Sequence, residues 1–235
     1  MTHLSALSLA INRPSLGGAG GGGLNPPFAN VDLLLHTNTN FNDSSLNSRV
    51  VTLNGTPAPT IETTAPKYGA GNGKFVGARS NYISWTGASF NIRTGSWCFE
   101  FWIKPTDKVN WTLVANPGAN NFYIAATSAL PGLAVGDGAT NTIASAIFTN
   151  AMTNGIWQHV AVSFDGTTYR AFLDGVLTAS STTLLASTAM TTLCCAARPF
   201  FSLFHDQEID DLRCTLGVPL YTANFSPPPA QFPDS

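Results

Sequence analysis

The chain has 235 residues and a formal charge of −2, and only 10% of its residues are charged. An ordinary globular domain carries about 25%, so the surface is mainly neutral and polar. With no basic block, the chain has no electrostatic footprint for nucleic acid or for an anionic membrane. At this length one β domain buries about 70% of its unfolded surface, and a stable core needs neither disulfide nor metal.

Residues 1–30 differ in kind from the rest. An apolar run, Leu7 to Ile11, leads into GGAGGGG at Gly17 to Gly23 and then Asn25-Pro26-Pro27. A glycine tract loses much entropy on ordering and packs no side chains, so this stretch reads as a flexible arm. The apolar run is too short for an export signal and has no basic residue before it within this sequence. No segment approaches the ~18 apolar residues that cross a bilayer. The expectation is a protein made in the cytoplasm.

From residue 31 onward the pattern is β throughout. Val31 to His36 is the first strand, followed by a polar loop at Asn38 to Ser45. Short strands are expected at Val50 to Leu53, Lys74 to Val76 and Tyr82 to Trp85, separated by Pro57, Pro59, Pro66 and the Gly69 to Gly73 region. Such spacing argues for an all-β sandwich. Trp97, Phe99, Phe101 and Ile103 form one face of the next strand, opposed by Cys98, Glu100, Trp102 and Lys104, so that strand is central. Glu100, a carboxylate amid Trp and Phe, must be solvated or hydrogen-bonded to stay charged; it is expected on the concave or outer face beside Lys104, with a catalytic acid as the alternative. Leu113 to Ala115, Phe122 to Ala126, Leu133 to Val135 and Ile143 to Phe148 continue the series, with turn signals at Pro117-Gly118 and Gly136-Asp137-Gly138.

Ile156 to Ser181 is the most structured reading in the chain: three strands joined by Asp165-Gly166-Thr167-Thr168 and by Asp174-Gly175, the two-residue type I′ signal. Val160, Val162 and Phe164 mark the buried face of its first strand, and Trp157, His159, Ala161 and Ser163 lie on the other. Leu184 to Met190 is a loop or a helical turn. Phe200 to Phe204 and Glu208 to Cys214 are the last strands, and Tyr221 to Pro233 is a proline-rich tail lying over the surface.

Gly155, Trp157, His159 to Val162, Asp165, Gly166, Asp174 and Gly175, with SWCFEFWIKP at Ser96 to Pro105, resemble the laminin G-like members of the concanavalin A-like lectin/glucanase superfamily. Ile209 to Phe225 is similar to the closing strand and tail of the short laminin G-like domains of phage virion proteins. The resemblance implies a jelly-roll sandwich of two antiparallel sheets over residues 31–235, preceded by the arm. It also implies that Trp157, His159, Asp165 and Asp174 mark a scaffold, and that Asp210 or Asp211 binds neighbouring backbone. The acidic residue that follows the first strand in the family is replaced here by Thr37-Asn38-Thr39-Asn40.

Candidate chemistry is sparse. Asp206, Glu208 and Asp210 could supply some oxygen ligands for calcium. The paired Glu-x-Asp-x-x-Glu carboxylates of the superfamily's glycanases are absent, and Glu62, Glu100 and Glu208 stand isolated. His159 and Ser163 lie roughly 13 Å apart along a strand and form no dyad. Sugar recognition needs an aromatic face with amides or carboxylates beside it. Trp111, Tyr123 and Tyr221 with Asn110, Asn120 and Asn121 could provide these, Trp111, Tyr123 and Asn121 above all. Cys98, Cys194, Cys195 and Cys214 read as buried thiols, with a Cys98 to Cys214 disulfide as the alternative in an oxidising setting.

These observations lead to the expectation of a non-enzymatic phage virion protein, in the capsid or a tail appendage, needing no cofactor unless calcium. Residues 1–30 would contact other virion proteins, and arm exchange would suit a homo-oligomer such as a trimer. The alternatives are a module for a cell-surface glycan and, behind it, a glycan hydrolase.

Overall fold

The computed structural model describes residues 25–91, 93–116, 122–127, 132–137, 141–145, 151–186, 189–199 and 202–235. Residues 1–24 of the arm, the Pro117-Gly118 turn, Asn120, Asn121, residues 146–148 and residues 200–201 lie outside them. The described strands are β1 (Val31–Leu35), β2 (Val51–Asn54), β3 (Thr60–Glu62), β4 (Asn72–Phe75), β5 (Tyr82–Asn91), β6 (Trp97–Pro105), β7 (Trp111–Ala115), β8 (Tyr123–Thr127) and β9 (Gly132–Gly136). They continue with β10 (Asn141–Ser145), β11 (Gln158–Phe164), β12 (Tyr169–Leu173), β13 (Val176–Ser181), β14 (Ala189–Cys195), β15 (Ala197–Arg198), β16 (Leu203–Phe204) and β17 (Gln207–Leu216).

These strands form two large antiparallel sheets. Sheet I runs β13-β12-β11-β6-β17-β4-β3, with β1 pairing on β17, and sheet II runs β10-β9-β8-β7-β14-β5-β2. All of the described ladders in both sheets are antiparallel. The fold is the expected all-β sandwich.

Period-two alternation sends one side of each central strand into the space between the sheets. Trp97, Phe99, Phe101 and Ile103 of β6 meet Val160, Val162 and Phe164 of β11 there. Trp97 touches the rings of Phe99, Phe122, Phe164 and Tyr169, at centroid distances of 5.6 to 6.0 Å. A buried aromatic of this kind contributes roughly 1.5–3 kcal/mol over its exposed state.

The other side of sheet I is also covered, because the tail after β17 crosses it. Leu220 and Tyr221 pack on Cys98, Ala161 and Phe172, and Phe225 stacks on Tyr221 with centroids 3.7 Å apart. The Phe225 N–H donates to the Gly175 carbonyl at 2.9 Å. Asp174 and Gly175 both hold positive φ, 48° and 77°, as a type I′ turn requires. A side chain at Gly175 would also collide with the Phe225 carbonyl, its Cβ falling 1.9 Å away.

The structure corrects several sequence expectations. Glu100 does lie on the outer side of sheet I and is hydrogen-bonded, but to Arg213 and Tyr221 instead of beside Lys104, and it is fully buried because the tail roofs that side of the sheet. Cys98 and Cys214 cannot bond: Cys98 lies under the tail and Cys214 lies in the core between the sheets, and all four cysteines are free and buried. Leu184 to Met190 is not one connection; its end opens β14, a central strand of sheet II. β3 arises between Pro59 and Pro66, where no strand was expected.

Candidate functional site

Registers across sheet I arrange its outward side chains in rows. β6 pairs with β11 so that Ala161 faces Glu100 and His159 faces Trp102. β17 pairs with β6 so that Arg213 faces Glu100, Asp210 faces Trp102 and Glu208 faces Lys104, while Lys74 of β4 faces Glu208. Between Asp210 and Arg213 the register shifts, and Asp211 takes a φ of 52°. This bulge keeps Ile209 and Leu212 in the core while both Asp210 and Asp211 turn outward.

The inner rows are sealed. Arg213 Nε and Nη2 donate to Glu100 Oε1 at 2.9 and 2.7 Å, and the Tyr221 hydroxyl donates to Oε2 at 2.8 Å. His159 Nε2 stands 3.3 Å from the same Oε2. Burial would raise the Glu100 pKa, but the Arg213 guanidinium and His159 outweigh it and hold the carboxyl below its ordinary value. Ser163 Oγ donates to the Tyr221 carbonyl at 2.6 Å. His159 and Ser163 are therefore parts of the seat for the tail.

The next row is capped by the loop before β4. Tyr68 N donates to Asp210 Oδ2 at 2.9 Å, the Thr37 hydroxyl donates to Oδ1 at 3.3 Å, and Lys67 Nζ lies 3.6 Å from the Trp102 ring centroid. Burial pushes the Asp210 carboxyl up to about 6. Asp211 accepts the Phe232 N–H at 2.7 Å and meets His36 Nδ1 at 2.6 Å, while His36 Nε2 meets Asp234 at 2.6 Å.

One row stays open to solvent: Trp157, Lys104, Glu208 and Lys74, each half-buried. The Trp157 indole N–H donates to the Ala65 carbonyl at 3.0 Å, which fixes the ring, and Lys104 Nζ lies 5.3 Å from its centroid. Lys104 pairs with Glu208 at 2.6 Å, and Asn72 Nδ2 donates to the same Glu208 oxygen at 3.1 Å. Lys74 pairs with Glu62 at 2.9 Å. That contact and the Thr64 N–H hold the Glu62 carboxyl down, at about 2. An aromatic surface thus lies beside a line of oriented donors and acceptors.

The residues singled out from sequence fall elsewhere. Trp111 is fully buried in the main core, its indole N–H donating to the Lys108 carbonyl, and offers no face to a sugar. Tyr123 is buried on the outer side of sheet II, where the Arg198 guanidinium covers its ring at 3.6 Å. Tyr221 belongs to the tail itself and is buried against sheet I, and Asn121 lies outside the described residues. Asp206, Glu208 and Asp210 turn to Gly77 N, Lys104 and Tyr68 N respectively. Among the described residues no group of three or more His, Cys, Asp or Glu could hold a metal. Trp157 carried the missed signal: an aromatic at the start of a strand, just beyond the part of the sheet that the tail covers.

Residues 76–214 match the family model Laminin_G_3, described as the concanavalin A-like lectin/glucanases superfamily, and the chain belongs to that family. A search of curated proteins finds no match to the chain. Among solved structures, the receptor binding domain of botulinum neurotoxin C/D mosaic serotype has a TM-score of 0.60 at 13% identity over 83% of this chain. The binding domain of botulinum neurotoxin serotype G has a TM-score of 0.59 at 13% identity over 82% of this chain. The chain spans about half the length of each, 49%. Domain 4 of AbnA, a GH43 extracellular arabinanase from Geobacillus stearothermophilus, in complex with arabinotriose, has a TM-score of 0.57 at 17% identity, over 80% of this chain and 93% of that one. At these identities the likeness is one of fold.

Proposed function

We propose that this chain is a non-enzymatic recognition module that binds a cell-surface glycan along the Trp157, Lys104, Glu208 and Lys74 row. The observation that carries the reading is the fixed, half-exposed Trp157 indole beside the Lys104 and Glu208 pair. Sugars are held by an apolar stack on an aromatic face and by hydrogen bonds to oriented polar groups. Two of the structural neighbours, a toxin receptor binding domain and an arabinanase domain in complex with arabinotriose, support a binding role.

A catalytic reading has less support. A glycosidase needs one carboxyl held protonated near neutral pH beside a second that is ionised. Glu62 and Glu208 are each paired with a lysine, and Glu100 is sealed against Arg213. Asp210 has a raised pKa, but Tyr68, Thr37 and Trp102 enclose it.

The module is further proposed to be displayed on a phage virion, with residues 1–30 contacting other virion proteins and copies assembling as an oligomer. The similarity of Ile209 to Phe225 to phage laminin G-like domains supports this. A glycan array run with and without calcium tests recognition, and mass spectrometry of purified particles tests the location. Specific glycan binding in either array would support the module. Silence in both arrays would remove it, and absence from particles would remove the virion assignment.

A further inference from the structure

The loop of residues 63–71, between β3 and β4, meets the tail on one side and Trp157 on the other. On the tail side, the Tyr68 hydroxyl donates to the Pro228 carbonyl at 2.6 Å. Burial pushes that hydroxyl up to about 12, so it stays a donor across the neutral range. On the other side, the Ala65 carbonyl accepts the Trp157 indole N–H. Only Pro66 and Lys67 separate the two contacts along the chain.

The span between them has little freedom. The ring of Pro66 fixes its φ, Ala65 is held at a φ of 53°, and Lys67 sits with its Nζ over the Trp102 ring. Tyr68 is seated in three ways: its N–H on Asp210, its ring edge-on to Trp102 with centroids 5.8 Å apart, and its hydroxyl on the tail. The tail is stiff at the same place, because Pro227, Pro228 and Pro229 each have a fixed φ, and Pro228 is buried. The Phe225 N–H on the Gly175 carbonyl and the Phe232 N–H on Asp211 anchor it to either side. Trp157, by contrast, precedes β11 and belongs to none of the described ladders. Its ring is oriented by the bond to Ala65.

We infer that Tyr68 is a positioning residue for Trp157, and that docking of the tail, acting through Tyr68, sets the affinity of the open row. With the tail seated, the loop presents the Ala65 carbonyl where the indole N–H meets it, and the aromatic face is preorganised for a sugar. With the tail released, Tyr68 keeps only Asp210 and the edge of Trp102, and the loop is free to shift from Trp157. Linkage makes the coupling reciprocal, so a glycan on Trp157 favours the docked tail by the same factor. Control of binding rests on the row being the glycan site, as proposed above; the seating of Trp157 does not.

NMR of the full chain tests the link at the Trp157 indole N–H, assigned among the five tryptophans by its loss in Trp157→Phe. Tyr68→Phe keeps the ring on Trp102 and removes the bond to Pro228. It should move the Trp157 indole resonance and speed its solvent exchange at least about fivefold. The core indoles of Trp97 and Trp111, which a general loosening would also move, should stay in place. Tyr82→Phe, on sheet II, should leave Trp157 as in the wild type. On a glycan array Tyr68→Phe should give signals at least about fivefold weaker than the wild type. An unmoved Trp157 resonance in Tyr68→Phe would overturn the inference. A moved resonance with undiminished array signals would overturn the control of binding by the tail. If the wild type binds nothing on the array, the function proposed above falls, and the indole resonance alone decides whether Tyr68 positions Trp157.

Discussion

Arg213 grips Glu100 through Nε and Nη2 on a single carboxylate oxygen, and its guanidinium carbon lies 3.8 Å from the Phe232 ring centroid. The residue therefore joins the centre of sheet I to the end of the tail. Both partners are buried, so removing one takes away the main counter-charge of the other.

Glu100→Ala is expected to destabilise the fold by about 3–5 kcal/mol. Pairing Glu100→Leu with Arg213→Met should recover most of that loss, because the double change removes both desolvated charges. Chemical denaturation of the single and double variants measures it. Additive losses in the double variant would contradict this account of the pair.

The end of the tail is expected to hold more firmly in mild acid. Burial alone would lower the His36 pKa, but its hydrogen bonds and charge contacts with Asp211 and Asp234 raise it above 6.5. A group with a raised folded-state pKa contributes stability that is complete below its unfolded pKa and is lost as pH climbs through the folded one. Asp210, raised by burial from 3.8 to about 6, acts in the same sense. Glu62 and Asp165, both lowered, act in the opposite one, so a single melting curve mixes the terms. The difference in Tm between wild type and His36→Asn isolates the clamp, and should be larger at about pH 6 than at about pH 9.

The four cysteines are expected to resist a thiol reagent in the native protein and to react fully in denaturant. Burial raises the thiol pKa of each. Replacing Tyr221 and Phe225 together by Ala should speed labelling of Cys98, which lies under the tail, and leave Cys214 protected in the core. Peptide mass mapping reads both sites. A Cys98 to Cys214 disulfide in the isolated protein would contradict the assignment of the two to opposite faces of sheet I.

What the sequence made legible was whatever depends on near neighbours in the chain. The Asp174-Gly175 turn and the aromatic face of β6 follow from period-two alternation and turn chemistry, and both stand as expected. Register between distant strands has no local signature. That Arg213 lies opposite Glu100, 113 residues away, could not be read from either segment, so Glu100 was assigned to its near neighbour Lys104. The same blindness displaced the candidate site. Trp111 and Trp157 each begin a strand region, and only the layers above them decide that the first is buried and the second half-exposed. β14 was missed because Ala189 to Cys195, AMTTLCC, lacks a clean alternation, and its place between β7 and β5 is set by tertiary pairing.

The open row is the centre of the functional account, and titrating the wild type and Trp157→Ala with a glycan selected on an array tests it most directly. Trp157→Ala should weaken binding at least about tenfold, a loss of about 1.4 kcal/mol, since stacking on an aromatic face is what the substitution removes. Its melting temperature should stay close to that of the wild type. Equal affinity in the two proteins would contradict the assignment of this row as the binding site.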